Sequence, residues 1–338
     1  MTLQTYQTIL DLIDAKADFA VAQLLQTNGS TPLKTGARAV VEANGDLIHG
    51  TIGGGQVEAA AQQRAAEACR AGLVSVFDFP LSGADAGETL PICGGIMRVL
   101  IDPRSAQHRE VFAQAAEAVM QRRRGVLLTR IKTKPETEVH IEWLPEHSAT
   151  KTPAMQTALA KETPQFLQEA DTELLIEPLI PLPRLVIVGG GHVGRALVHQ
   201  ASLVDFDVTV VDDRPEFVDP THFPDGVHIR CGDIAQQVAD LATTTDTYMV
   251  IVTRGHRFDA EALRACIHKP VAYIGMIGSK RKTALMRAHF VSSGIATEEQ
   301  FDRVYAPIGL GIGALTAAEI AASIVAQLIA VRRTGQTP

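Results

Sequence analysis

Hydrophobic positions follow different rules in the two halves of this chain. From Arg184 onward, short β-branched runs bounded by glycine or acids alternate with amphipathic stretches: LVIVGGG, DVTVVDD, VHIRCGD, TYMVIVTRG and VAYIGMIGS. Strands that read as near-continuous apolar runs are buried on both faces. Their alternation with helices predicts a parallel sheet covered on both sides. A last apolar helix is predicted over 316–333, after the glycine-rich loop PIGLGIGA.

The first half shows no such alternation. Ile9, Leu12, Ile13 and then Phe19 into Val21 predict a helix over 3–25, broken once and running into the turn NGSTP at 28–32. A hairpin is expected at 37–41 and 45–51, a helix over 56–71, and strands at 74–79 and 96–102 joined by LSGADAGETLPICGG. A helix over 105–123 and strands at 125–131 and 139–144 follow. The polar segment 145–170, with Pro153 and Pro164, reads as a helical or irregular bridge into the strand TELLIEPL, and Pro178, Pro181 and Pro183 form a stiff spacer. The expected fold class is α/β: an N-terminal mixed α+β domain over 1–180 and a C-terminal Rossmann-like doubly wound parallel sheet over 181–338.

The 338 residues exceed the usual single-domain length, which agrees with two domains. With 46% hydrophobic and 20% charged residues the composition is that of an ordinary globular protein. A net charge of -7 argues against nucleic acid or an anionic membrane as main partner. The N-terminal stretch has no charged region leading into an apolar run, and no segment approaches the ~18 apolar residues that span a bilayer. Cys69, Cys93, Cys231 and Cys266 show neither CxxC pairing nor metal-site spacing, so the expected setting is the reducing cytoplasm.

In VIVGGGHVGRAL, Gly189, Gly191 and Gly194 fit GxGxxG between a strand and a helix, and the next strand ends at Asp212. Such glycines let backbone approach a pyrophosphate at a helix N-terminus, and the acid accepts from a ribose hydroxyl. The plainer reading is a scaffold whose tight turn serves packing alone. Asp213 and Arg214 follow, and leave any preference between NAD and NADP open. Two further loops lie at carboxyl ends of strands: TRGHRFD with His256 and Asp259, and GMIGSKRK with Ser279 and Lys280 at a helix start suited to an anion. Asp259 reads as a helix N-cap. His192 and His256 stand where a ligand contact is useful, or are surface histidines.

In the first half, Gly53, Gly54 and Gly55 of TIGGGQVE leave backbone N–H groups uncovered at a helix mouth, either an anion nest or a tight connection. Glu58 reads as a simple dipole-favoured residue. Cys93 precedes Gly94 and Gly95 and a strand, so its sulfur is a candidate soft metal ligand or sulfur acceptor, or a structural cysteine. Cys69 and Cys266, in helices, read as small core hydrophobes.

Taken together, NGSTP, GTIGGGQVE, CGG, LVIVGGGHVGRAL, VTVVDDRPEF, YIGMIGSKRK and PIGLGIGA resemble the XdhC/CoxI family of molybdenum-hydroxylase maturation factors over nearly the whole chain. The resemblance implies a non-enzymatic factor that binds the molybdenum cofactor (molybdopterin) while a cysteine desulfurase supplies its sulfido ligand, then delivers it to the large subunit of a molybdenum hydroxylase such as xanthine dehydrogenase. It also implies that Cys93 is tied to the cofactor. A homodimer is expected. One elongated ligand over both glycine-rich mouths, or one ligand in each domain, would account for the pair. The chain departs from the family pattern at Leu33–Lys34, where an arginine is common, and at Gly311, where an aspartate is. The competing reading of GxGxxG with Asp212 is an NAD(P)-dependent oxidoreductase, and a third is a structural adaptor that holds no cofactor.

Overall fold

The computed structural model describes residues 3–29, 31–81, 95–149 and 152–335. The chain forms two compact units, Met1–Pro181 and Leu182–Pro338.

The first unit opens with α1 (Leu3–Asp14), β1 (Phe19–Asn28), β2 (Arg38–Glu42), β3 (Leu47–Gly50), α2 (Gly55–Ala71), β4 (Ser75–Pro80) and β5 (Ile96–Asp102). These strands make an antiparallel sheet in the order β3-β2-β1-β5-β4. A 3-10 turn (Ser105–His108) leads into α3 (Arg109–Met120), and then come β6 (Gly125–Lys132), β7 (Glu138–Pro145), α4 (Glu146–Ala149), α5 (Pro153–Lys161), β8 (Gln165–Glu169) and β9 (Thr172–Leu179). The second antiparallel sheet runs β7-β6-β9-β8.

The expected helix over 3–25 stops at Asp14, and Phe19–Asn28 is a central strand. Its run FAVAQLL is buried throughout, with Ala20, Ala22 and Leu24 packed toward α2 and Phe19 and Val21 toward α1 and α3. A short apolar run buried on both faces carries no period that separates strand from helix. The bridge 145–170 ends in a strand that sequence reasoning missed: β8 is an edge strand, half-buried or exposed throughout, so it shows no apolar alternation.

Polar links join the two sheets. Glu177 of β9 accepts from Arg38 Nη1 at 2.8 Å and from Gln23 Nε2 at 2.8 Å, all three buried. Four residues earlier on the same strand, Glu173 accepts from Arg98 Nε at 2.9 Å and Nη2 at 2.6 Å.

The second unit contains β10 (Arg184–Val188), α6 (His192–Ser202), β11 (Asp207–Asp212), β12 (His228–Cys231), α7 (Ile234–Ala239), β13 (Thr247–Ile251), α8 (His256–Cys266), β14 (Tyr273–Met276), α9 (Lys280–Ser292), α10 (Glu298–Asp302), β15 (Val304–Tyr305) and α11 (Ala317–Thr334). All six strands are parallel, in the order β12-β11-β10-β13-β14-β15, the doubly wound Rossmann arrangement. Its core lies on both faces: Leu185, Ile187 and Val210 pack with α6 and α11, while Val186, Val188 and Ile251 pack with α7, α8 and α9. Among the described residues no helix is long and apolar enough to cross a membrane.

Candidate functional site

Eight of the described helix mouths fall into two chemical kinds. Thr152, Asp233, Ser279, Thr297 and Thr316 cap α5, α7, α9, α10 and α11 with a side-chain oxygen, closing off first-turn N–H groups. The mouths of α2, α6 and α8 instead carry Gly54, Gly191 and Gly255, and none has a side-chain cap. Their first-turn donors keep the positive end of the helix dipole available to an anion.

At the α2 mouth, Gly53, Gly54 and Gly55 have φ of +136°, +69° and +57°, a run that side chains rarely adopt. The three differ in their surroundings. A Cβ on Gly53 would sit 2.9 Å from Pro32 Cγ and 3.5 Å from Met97 Cε, whereas Cβ atoms on Gly54 or Gly55 would meet nothing within 4 Å. Gly53 therefore closes the turn by packing, and Gly54 and Gly55 form an open cradle. Thr51 Oγ1 accepts from Gly53 N at 3.1 Å and donates to Glu58, which also accepts from Ile52 N at 3.3 Å. Glu58 thus ties down the approach to the turn, more than the dipole-favoured residue expected.

The same contacts bring three separated stretches of sequence together. Pro32 belongs to NGSTP, Gly53 to TIGGGQVE, and Met97 to the strand after CGG; that strand starts at Ile96, which pairs with Asn28. Gly95, buried, accepts from Leu81 N at 2.8 Å. Cys93 and Gly94 lie outside the described residues. Of the other cysteines, Cys266 is buried and its thiol is pushed up to about 12 by burial, Cys69 is half-buried with its thiol also raised, and Cys231 is exposed. Among the described residues no cluster of three or more side chains suits a metal ion.

In the second unit the glycine turn is built for closeness. A Cβ on Gly194 would collide with the Gly189 carbonyl, and one on Gly190 with the Phe217 carbonyl. Asp212, only 1% exposed, does not face open space. Its Oδ2 accepts from Gly190 N at 2.8 Å and Arg214 Nη2 at 3.0 Å, and its Oδ1 accepts from Arg214 N at 3.1 Å and Nε at 2.9 Å. The Arg214 guanidinium in turn lies 3.6 Å from the Phe217 ring centroid. Burial works to raise the Asp212 carboxyl, but hydrogen bonds from Arg214 and Gly190 outweigh it and hold the group below the ordinary carboxylate range. Asp212→Asn is expected to destabilise this unit by about 1–3 kcal/mol at pH 7, because a buried charge-assisted network loses its charge. A lowered pKa stabilises the fold above the ordinary carboxylate value and loses that contribution as pH falls through the folded value. The gap between wild type and variant, read from denaturant midpoints, should therefore narrow below about pH 4.

A cavity of about 240 Å³ lies at the ends of β13 and β14, lined by His256 and Asp259 of α8 and by Lys282 and Thr283 of α9. Asp259 is not an N-cap: Gly255 holds that position, and Asp259 reaches back to accept from Thr253 N at 3.3 Å and Thr253 Oγ1 at 2.6 Å. Ser279 caps α9, accepting from Lys282 N at 3.3 Å, and exposed Lys280 is not part of the lining. Lys282, which sequence reasoning passed over, takes that place two residues on. A second cavity, about 280 Å³, is lined by Gly191, His192, Arg195, His199 and Phe217.

Residues 12–79 match the family described as the XdhC and CoxI family, and residues 185–328 match the XdhC Rossmann domain, together more than half of the chain. The chain belongs to the XdhC/CoxI family. It is 26% identical over 324 residues to the Escherichia coli (strain K12) protein described as uncharacterized protein YqeB, covering 95% of this chain and 45% of that one. The chain thus spans about half the length of that relative. Over 343 residues it is 24% identical to a Bacillus subtilis (strain 168) protein described as a probable xanthine dehydrogenase subunit, covering 97% and 98% of the two chains. A crystal structure from Bacillus halodurans, described as a xanthine dehydrogenase, has the same fold, with a TM-score of 0.78 at 23% identity over 98% of this XdhC/CoxI chain and 96% of the other.

Proposed function

We propose that this chain is an accessory factor without turnover of its own that holds the molybdenum cofactor and delivers it to the large subunit of a molybdenum hydroxylase such as xanthine dehydrogenase. A cysteine desulfurase sulfurates the cofactor while it is held, in the cytoplasm, on a homodimer. Family membership supports this reading, as does the name of the Bacillus subtilis relative. The single observation that carries it is the convergence of Pro32 and Met97 on Gly53, next in sequence to the open Gly54–Gly55 cradle.

The chemistry of the cradle fits the cofactor. Molybdopterin bears a phosphate, and uncapped N–H groups at the mouth of a 17-residue helix suit one. Cys93, four residues before Met97, brings a thiolate, a soft ligand, to the same stretch of sequence. When bound, the cofactor supplies the metal that carries the sulfido group. The chain's own part is to orient the phosphate on backbone donors and to offer the thiolate.

The cradle gives a direct test. Gly55 is exposed, has open space at its Cβ and a φ of +57° that asparagine and aspartate tolerate. Gly55→Asn should therefore fold and retain pterin and molybdenum, whereas Gly55→Asp places a carboxylate where the phosphate sits. Retained pterin per protein should fall at least about tenfold from Asn to Asp, since the charge costs the complex more than ~1.4 kcal/mol. Equal retention in the two variants would remove the cradle from the site.

A further inference from the structure

In a sheet of this strand order a dinucleotide lies across the carboxyl end of β10, between the loops that follow β11 and β13. Here a side-chain ion pair joins those two loops. Arg254, after β13, donates from Nη1 and Nη2 to the two carboxylate oxygens of Asp213, after β11, at 2.9 and 2.8 Å. The same guanidinium lies 4.1 Å from the Phe258 ring centroid, which holds it in place. Phe217 packs against Gly190, and the acid that would meet a ribose is filled by Arg214. Two separate cavities, of about 280 and 240 Å³, are formed here, and they share no lining residue. A dinucleotide needs one continuous trough and a free ribose acceptor, and the residues present fit neither requirement.

The cavity on the β13–β14 side has the features of a ligand site in its own right. It is lined by the uncapped mouth of α8, an 11-residue helix. Thr283 Oγ1, on its wall, is wholly buried and has no hydrogen-bond partner among the described residues. Asp259, 7% exposed, has Oδ1 filled by Thr253, and no hydrogen bond to its Oδ2 is formed among the described residues. Lys282 and His256 stand at the exposed rim, and Met276 and Met286 are buried on the apolar side. Arg254 also lines the cavity but is paired with Asp213, so Lys282 is the cation that a ligand would meet. Convergent donors, that cation and an apolar wall in a small pocket at strand ends are what a compact anionic ligand requires.

We propose that the Rossmann unit of this chain takes no dinucleotide and instead holds, at the mouth of α8, a small ligand that ends in one tetrahedral oxyanion, such as a phosphate monoester. Lys282 supplies the countercharge, and the α8 N–H groups and Thr283 supply hydrogen bonds. The charged and titratable groups facing Asp259 are His256 on its own helix, Lys282 on α9 and Arg254 on the preceding loop. Burial raises the Asp259 carboxyl, with hydrogen bonds from Thr253 opposing. An anion beside it favours the protonated form, which donates to a ligand oxygen, so binding tightens as pH falls. The proposal does not rest on Cys93 or on the α2 cradle.

The test is isothermal titration of the full chain with sulfate, whose charge is constant from pH 5 to 8, with inorganic phosphate, and with NAD and NADH. Saturable sulfate and phosphate binding is expected, weakened about tenfold by K282Q. Asp259→Asn should retain sulfate binding at pH 7 and flatten its pH dependence, with His256→Asn separating the histidine's share. NADH should give no saturable binding at millimolar concentration. Saturable NADH binding, or sulfate affinity indifferent to K282Q, would overturn the proposal; loss of molybdenum binding alone would leave it standing.

Discussion

Glu177→Ala is expected to destabilise the N-terminal unit by about 3–5 kcal/mol, the usual cost of removing one partner from a buried ion pair. Arg38 is held between the two sheets with 3% of its side chain exposed, and Glu177 accepts from both of its terminal nitrogens and from Gln23. Alanine leaves a desolvated guanidinium without its carboxylate and opens space next to Gly36, whose Cβ position lies 3.1 Å from Glu177 Oε1. For a unit of this size the transition should move down by roughly 6–20 °C. The chain's one tryptophan, Trp143, lies in β7 of the same unit, so its fluorescence reads this transition separately from the Rossmann unit. An Arg38→Met, Glu177→Leu double variant should recover most of the loss, because two apolar side chains need no countercharge. A single variant that melts within about 2 °C of wild type would mean that the pair contributes little.

That pair also marks how far the sequence could be read. Most of the Rossmann half was legible: β10, β11 and β13 are apolar, β-branched-rich runs, and α11 starts at a Thr316–Glu319 capping box that the sequence spells out, whereas α10 and the two-residue edge strand β15 are too short to leave a pattern. The N-terminal half was not. FAVAQLL joins a helical pattern to a buried strand with no breaker strong enough to announce the switch, and the edge strand β8 buries too little to leave a pattern. Glu177 and Glu173 read as ordinary charges in TELLIEPL, since their arginines lie 139 and 75 residues away.

The same limit governs the sites. Glycine runs were visible because glycine is what an open helix mouth demands, and Gly54, Gly191 and Gly255 all stand at uncapped mouths. What fills or closes a mouth is set by residues distant in sequence or by side chains that fold back on their own neighbours. The sequence places Asp212 as a ribose acceptor, and nothing in DDRPEF announces that Arg214 folds back onto it or that Arg254 reaches across to Asp213. Likewise, the meeting of Pro32, Gly53 and Met97 follows from the pairing of β1 with β5, which spacing alone does not reveal.

Cys93→Ala carries the largest functional effect. A thiolate is the one soft ligand that the CGG stretch offers, and a molybdenum-bearing guest held otherwise only by backbone donors would be retained through its phosphate alone. Loss of that ligand should reduce bound molybdenum at least about tenfold, since a metal–ligand bond outweighs the ~1.4 kcal/mol that a tenfold change represents. The fold should be unaffected, as judged by the Trp143 transition. Cys266→Ala, at a buried thiol, should cost stability without changing metal content.

The most direct measurement is therefore metal and pterin content per protein, for wild type and Cys93→Ala purified side by side from cells that make the molybdenum cofactor. Bound molybdenum and pterin in the wild type with little in the variant is the expected result. Equal content in both, or none in the wild type, would contradict the assignment of this chain as a carrier that grips its cofactor through Cys93.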